Sequence, residues 1–248
     1  MDKQLPAIKN DLTVGEYLSL LFDQGSKKEQ HETKELLEYI EQMEKQYNLI
    51  ASELHEVKEL LNNLQNPITK SKLSQSIEKV ELIINDGVNK LNSLKTKLVN
   101  AMKKSINDFK QKGKNGVINT INVLHFKETL GSIRKSLFIG MRQTKSLTNT
   151  CDVITSEIRQ AKLHLKRVGY IIFKKSNTLN NQDYQKINIL QRMSRRMYTS
   201  LEKMTIHTTS ILHKIEEFEK PSVKGEIKLI ENKTLNKPSK KKNKVKQR

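Results

Sequence analysis

Apolar residues recur at alternating intervals of three and four positions along most of this chain, and this repeat constrains the fold more than any other feature. The most regular stretch runs from 130 to 172, and further stretches occupy 36–64, 73–101 and 187–218. Such spacing places the apolar side chains on one narrow stripe of an α-helix, as in coiled coils and helical bundles. The sequence therefore predicts long amphipathic helices that each bury one stripe.

The breaks in the repeat predict five helices. The first follows Thr13, which we assign as its N-cap with Glu16 as the capping-box partner, and it ends near Gly25. The others span about 28–64, 69–112, 126–173 and 182–218. Asn66-Pro67 separates the second from the third, because the residue before proline is disfavoured in the α conformation. This short connection, between an acidic and a basic helix, predicts an antiparallel hairpin.

The composition agrees with a helical fold. Gly (9) and Pro (4) are scarce, although all-β and turn-rich α/β folds need many of both. The predicted fold class is all-α, an elongated antiparallel helical bundle or coiled coil with a disordered basic C-terminal tail. The predicted segments are a short N-terminal helix (1–27), a coiled-coil hairpin (28–112), a turn plus long helix (113–175), a C-terminal helix (176–220) and the tail (221–248).

Cysteine usage and hydropathy bear on the compartment. A single cysteine, Cys151, cannot form an intramolecular disulfide, which favours a reducing cytoplasmic setting. The first fifteen residues lack the apolar segment of a signal peptide, and no apolar run approaches the roughly 20 residues of a membrane-spanning helix. We expect a cytoplasmic protein without a transmembrane segment.

No arrangement of residues predicts catalysis. The glycines fit neither a nucleotide-binding fingerprint nor a phosphate-binding loop, and the six histidines lack the spacing of paired metal ligands. Cys151 falls on the apolar stripe, and no histidine lies three or four positions away to activate it. We therefore expect no enzymatic activity, no cofactor and no metal site.

Positive charge is the one functional signal in the sequence. The net charge is +19, which divides into −6 over 1–66, +17 over 67–220 and +8 over 221–248. Basic residues three and four positions apart share one helix face, and clustered basic residues bind phosphates. The candidate anion-binding residues are Arg192, Arg195 and Arg196 on the last helix, with Lys240, Lys241, Lys242, Lys244, Lys246 and Arg248 in the tail.

A second basic stripe lies late in the long helix. It comprises Arg159, Lys162, Lys166 and Arg167, and Lys174 and Lys175 extend it. The competing interpretation is that the positive charge is compositional, since the chain is rich in Lys, Asn and Ile and a charged outer face is ordinary for a helical bundle. No tryptophan is present and aromatic residues make up 5% of the chain, so any contact with nucleic acid should be with its backbone.

Several short strings resemble a known family. They are the opening TVGEYLSLLFDQG, the turn KGKNGV and the segment VGYIIFKK, set around the hairpin and the long helix. Together they resemble an uncharacterised family of helical proteins carried by integrative conjugative elements of Firmicutes and known only as a domain of unknown function. The resemblance covers about residues 13–175. It implies a mobile genetic element as context, and it implies no activity and no functional residues.

Two functions fit these observations. The first is a non-enzymatic structural or adaptor protein that binds a protein partner, or a second copy of itself, through coiled-coil contacts. The alternative is a nucleic-acid-associated protein that binds the phosphate backbone non-specifically through its basic helix face and tail. Peripheral contact of the same tail with an anionic membrane is a third, weaker option.

Overall fold

The chain folds into an antiparallel helical bundle. The structure, a computed structural model, describes residues 8–113, 123–172 and 181–219, with side chains placed at 8–113, 126–164 and 182–216. Within these ranges a short 3₁₀ turn (Ile8–Asn10) precedes five α-helices and no strand occurs. The helices are α1 (Leu12–Asp23), α2 (Lys27–Asn62), α3 (Pro67–Lys112), α4 (Val123–Ile172) and α5 (Asn181–Glu219).

Four of the helices close into a ring. Each of α2, α3, α4 and α5 packs on the next, and α5 packs back on α2, while α1 lies against α2 and α3. The contacts run antiparallel: on the α4–α5 side Met141 meets Thr205 and Asp152 meets Arg195. This is the up-and-down arrangement typical of four-helix bundles joined by short connections. The all-α antiparallel fold class predicted from the repeat is confirmed.

The helix ends follow local chemistry, with one correction. The N-cap of α1 is Asp11, whose carboxylate accepts the Thr13 amide at 2.8 Å, so the assignment of Thr13 as the cap is wrong. The α3 helix begins at Pro67, earlier than predicted, because proline suits the first helical position and Asn66 caps the amides of Ile68 and Thr69. The predicted disordered tail and the KGKNGV turn after Gly113 lie outside the described residues.

The centre of the bundle is apolar, and small residues in α4 bring the helices close. Gly140 lies where an added Cβ would stand 3.3 Å from Leu201 of α5 and 3.4 Å from Ile83 of α3. One turn later the buried Thr144 hydroxyl donates to the Gly140 carbonyl at 2.8 Å, so it needs no partner from another helix. The absence of a side chain at Gly140 therefore lets Leu201 and Ile83 pack against the α4 backbone.

The α4 helix is longer than the ring around it. Lys97 of α3 meets Thr129 and Ile83 meets Gly140, a register that places Pro67, the first residue of α3, opposite about position 157 of α4. On the α5 side Arg159 and Lys162 contact Tyr184, in the first turn of α5. This register places Asn181, the first residue of α5, opposite about position 165 of α4, and the helical backbone of α4 continues to Ile172, about seven residues or 10 Å farther. We name residues 166–172 the projection; their side chains lie outside the described ones.

Candidate interaction surfaces

Charged and polar side chains inside the bundle pair helix with helix. Lys95 of α3 forms a buried ion pair with Glu44 of α2. The Tyr39 hydroxyl lies 2.8 Å from that of Thr208, and the Thr148 hydroxyl lies 2.8 Å from that of Ser194. A buried polar group is costly unless it is hydrogen-bonded, so these pairs determine which helices pack together and in which axial register. These pairs stabilise the packing of the helices, and they lie too far apart along the bundle to form one site.

The lone cysteine is part of this interior. Cys151 is fully buried in α4, and burial, reinforced by the neighbouring Asp152 charge, raises the pKa of its thiol to about 12. A thiol with that pKa stays protonated at neutral pH, and the thiolate is the reactive form of cysteine. Cys151 therefore serves as a small apolar side chain, as its place on the apolar stripe indicated.

A cleft of about 550 Å³ opens between the N-terminal turn and α3. Asn10, Asp11, Asn100 and Lys103 line it, together with Lys95. Lys95 is already committed to Glu44, and Asp11 to the α1 amide that it caps. Two of the charged groups of the cleft, those of Lys95 and Asp11, are thus engaged in contacts within the fold. Among the described residues no group of three or more acidic, histidine or cysteine side chains could hold a metal ion.

The three arginines that were predicted to share one face of α5 lie near two different helices. All three arginines are exposed, but the Arg195 guanidinium lies 3.7 Å from the Asp152 carboxylate of α4. Arg196 faces the other way, and its charge opposes the rise that burial causes in the pKa of Glu53 on α2. Arg192 forms no ion pair with any described residue. The face therefore offers one uncommitted cation, flanked by two arginines that each have a carboxylate near them.

The second basic stripe starts at the base of the projection. The Arg159 guanidinium lies 3.5 Å from the Tyr184 hydroxyl, and the Lys162 ammonium lies 4.9 Å from the centre of the same ring. This arginine and hydrogen bonds from α5 lower the pKa of the Tyr184 hydroxyl. Beyond these contacts Leu163 is 53% exposed. The side chains of Lys166, Arg167, Lys174 and Lys175 lie outside the described ones, and so do Lys240, Lys241, Lys242, Lys244, Lys246 and Arg248 of the tail.

The structure presents a further basic surface that sequence reasoning missed. Arg134, Lys135, Arg142 and Lys145 share the outward side of α4, and we name these four residues the α4 basic face. None of them forms an ion pair with a described residue. The signal in the sequence was the lack of any acidic residue between Glu128 and Asp152. It was overlooked because the four basic residues are spread over twelve positions and form no dense cluster.

No described helix is long and apolar enough to cross a membrane. The fold defines the class: an all-α antiparallel bundle in which α1 packs on one side of a four-helix ring and the longest helix projects at one end. The chain belongs to DUF6674, a family of unknown function, whose profile matches residues 10–248. The match includes α5 and the tail, which the resemblance to an uncharacterised helical family did not cover. No curated protein and no solved structure matches the chain.

Proposed function

We propose that this chain is a non-enzymatic adaptor that binds a protein partner through the projecting end of α4. The observation that carries the proposal is the projection itself, about seven helical residues past the first residue of α5. In the sequence, Leu165, Val168 and Ile172 continue the three-four spacing of apolar residues along this end of the helix. An amphipathic helix end of this kind is suited to helix–helix contact with another chain.

A photo-crosslinking residue at position 163 of the full chain tests this proposal. Leu163 is 53% exposed near the base of the projection, and Leu82, 70% exposed about a third of the way along α3, provides a matched control position. In cells that carry the gene, we expect a discrete adduct from position 163 and none from position 82. An adduct of twice the chain mass would identify the partner as a second copy. If positions 163 and 82 give the same pattern, the proposal is wrong.

The setting of the adaptor is part of the same proposal. The single cysteine, kept as a buried protonated thiol, supports a reducing cytoplasm. The resemblance to helical proteins of integrative conjugative elements supports a mobile-element context. Genes for conjugative transfer beside this one would support that context, and their consistent absence from the neighbourhood of related genes would contradict it.

A second candidate function is binding to the phosphate backbone of nucleic acids. It is favoured by positive charge that stays uncompensated in the fold: α4 carries nine basic and three acidic residues, and Arg192 of α5 forms no ion pair with a described residue. Binding should weaken steeply with salt, and it should weaken further when Lys240, Lys241 and Lys242 are changed to glutamine. An absence of DNA and RNA binding at low salt would remove this candidate.

A further inference from the structure

The α4 basic face combines charge with an exposed aromatic ring. From Arg134 to Lys145 it extends eleven residues, or about 17 Å, along α4. Phe138 lies in its middle, four positions from both Arg134 and Arg142, and is 54% exposed. Positions four apart are neighbours on a helix surface, so Arg134 and Arg142 occupy the helix positions on either side of Phe138. The α4 basic face thus places one exposed aromatic ring among four cations on the same side of one helix.

Lysines of α3 continue the positive charge at the edge of this face. The Lys97 ammonium lies 3.0 Å from the Thr129 hydroxyl of α4, which is a neutral partner. Lys90 lies 2.6 Å from the Ser136 hydroxyl and is partly neutralised by Asp86. On the other side, Glu202 of α5 is exposed and forms no ion pair with a described residue. The net field of this side of the bundle is positive.

Two other occupants of the face are less suitable. Three of the acidic residues of α2 are paired within the bundle: Glu41 with Lys9 at 2.6 Å, Glu35 with Lys214 at 2.7 Å, and Glu44 with Lys95. A second copy of the chain therefore presents only part of the acidic charge of α2 as a counter-surface. A membrane-bound helix needs a broad apolar face, whereas only Phe138 and the 47% exposed Ile139 are apolar and exposed here.

We propose that the α4 basic face binds a nucleic-acid strand with unpaired bases. Its four cations contact successive phosphates, and one base stacks on the Phe138 ring between the two arginines. Basic grooves with aromatic side chains recognise single strands in this way, with little sequence preference because every base has a stacking face. The inference deepens the second candidate function, since it names the surface and the form of nucleic acid.

Fluorescence anisotropy with the full chain tests the proposal. The probes are labelled 20-nucleotide dT and rU strands, a 20-base-pair duplex, and vesicles of phosphatidylcholine with 30% phosphatidylglycerol. We expect the single strands to bind more tightly than the duplex at equal salt. Phe138→Ala should weaken single-strand binding at least about fivefold and leave duplex binding unchanged, because only an unpaired base can stack. Phe22→Ala removes a ring that is 68% exposed on α1 and provides the control.

Charge variants distinguish binding by the α4 basic face from binding by the tail. Changing all four cations of the α4 basic face to glutamine should lower the salt dependence, the slope of log affinity against log salt, by about 3 for a single strand. The control changes Lys27, Lys28, Lys34 and Lys45 of α2 to glutamine, an equal loss of charge. Circular dichroism and the melting temperature check that each variant folds.

Each outcome decides between the proposals. Binding that is lost with the tail lysines but unchanged in the α4 variant would overturn this inference and keep the second candidate. Equal loss in the α4 and α2 variants would show that only net charge matters, and would also overturn it. Binding to vesicles but to no nucleic acid would overturn both. A selective loss in the α4 variant together with a single-strand effect of Phe138→Ala would establish the site.

Discussion

Gly87 of α3 shows how one missing side chain sets the distance between two helices. A Cβ at this position would stand 2.7 Å from Cζ and 2.9 Å from Cε1 of Tyr47, so the buried tyrosine of α2 occupies the space that any other residue would fill. The sequence showed only a glycine on the apolar stripe. The structure gives the reason, which is close packing of a large ring against the α3 backbone.

We predict that Gly87→Ala lowers the free energy of unfolding by about 1–3 kcal/mol through overpacking, although alanine is the better helix former. Gly131→Ala in α4 is the control, since its Cβ would meet nothing within 4 Å, and it should stabilise by about 0.5–1 kcal/mol. Urea unfolding measures both. Tyr47→Leu should relieve the effect of Gly87→Ala, and an additive double variant would contradict the explanation.

Two buried tyrosines of α2 offer a matched comparison. The Tyr39 hydroxyl is paired with Thr208, whereas the Tyr47 hydroxyl has no hydrogen-bond partner among the described residues. We expect Tyr39→Phe to cost about 1 kcal/mol of unfolding free energy, and Tyr47→Phe to be neutral or stabilising. Denaturant titration of the two variants measures the difference. Equal costs would show that the Tyr47 hydroxyl has a partner in solution.

At the scale of helices, one carboxylate of α5 holds the α2–α3 turn. Asp183 is buried, and its carboxylate accepts the Gln65 amide at 3.2 Å and the Asn66 amide at 3.1 Å. We predict that Asp183→Ala lowers the unfolding free energy by about 1–3 kcal/mol, because two amides lose their acceptor. The exposed Asp23 at the end of α1 is the control for loss of one negative charge. Faster hydrogen exchange at Gln65 and Asn66 would localise the effect to the turn, and unchanged exchange there would contradict it.

The apolar repeat predicted the centre of each buried stripe better than its width. In α3 the stripe from Leu73 to Leu98 is buried as predicted, but beyond it the helix buries Met102 and Ile106 while Ala101 is half-buried. In α2, Leu37 is buried and Leu36 is only partly so. A narrow stripe suffices for one partner helix, whereas α2 and α3 each touch two helices of the ring and α1. The wider arc depends on those neighbours, which the local spacing does not encode.

The dependence on neighbouring helices also explains how much of the candidate sites the sequence could predict. Residues 192, 195 and 196 do share an outward side of α5, as their spacing predicted. Their division between Asp152 and Glu53 depends on which helices flank α5, and that order is a property of the closed ring. The α4 basic face could have been predicted from the interval without acidic residues, because it lies on the solvent-exposed side of a single helix. The tail lysines remain a prediction.

At the scale of the whole molecule, buried tyrosine hydroxyls make the stability of the fold depend on pH in the alkaline range. Burial raises the pKa of Tyr17 to about 12 and also raises the pKa of Tyr39 and of Tyr47. The folded state therefore holds these protons more tightly than the unfolded chain, whose tyrosines titrate near 10. Their contribution to stability is complete below pH 10 and is lost as the pH rises toward 12 and beyond.

We predict that the unfolding free energy falls by up to about 4 kcal/mol per pH unit from these three groups above pH 10. Absorbance at 295 nm should show Tyr184 ionising first, since hydrogen bonds from Arg159 and Asn188 lower its pKa, and the buried three ionising together with unfolding. A triple phenylalanine variant should flatten the decline. Ionisation of all tyrosines near pH 10 without loss of helix would contradict the burial of these rings.

The antiparallel pairing of α2 with α5 sets which helix ends share a pole of the bundle. Glu35, near the start of α2, lies 2.7 Å from Lys214, near the end of α5, so the chain enters and leaves the ring at one pole. The last turns of α4 point away from the opposite pole. The end of α5 at Glu219 and the tip of α4 thus lie at opposite poles of the bundle, separated by roughly 50 Å, the length of α2.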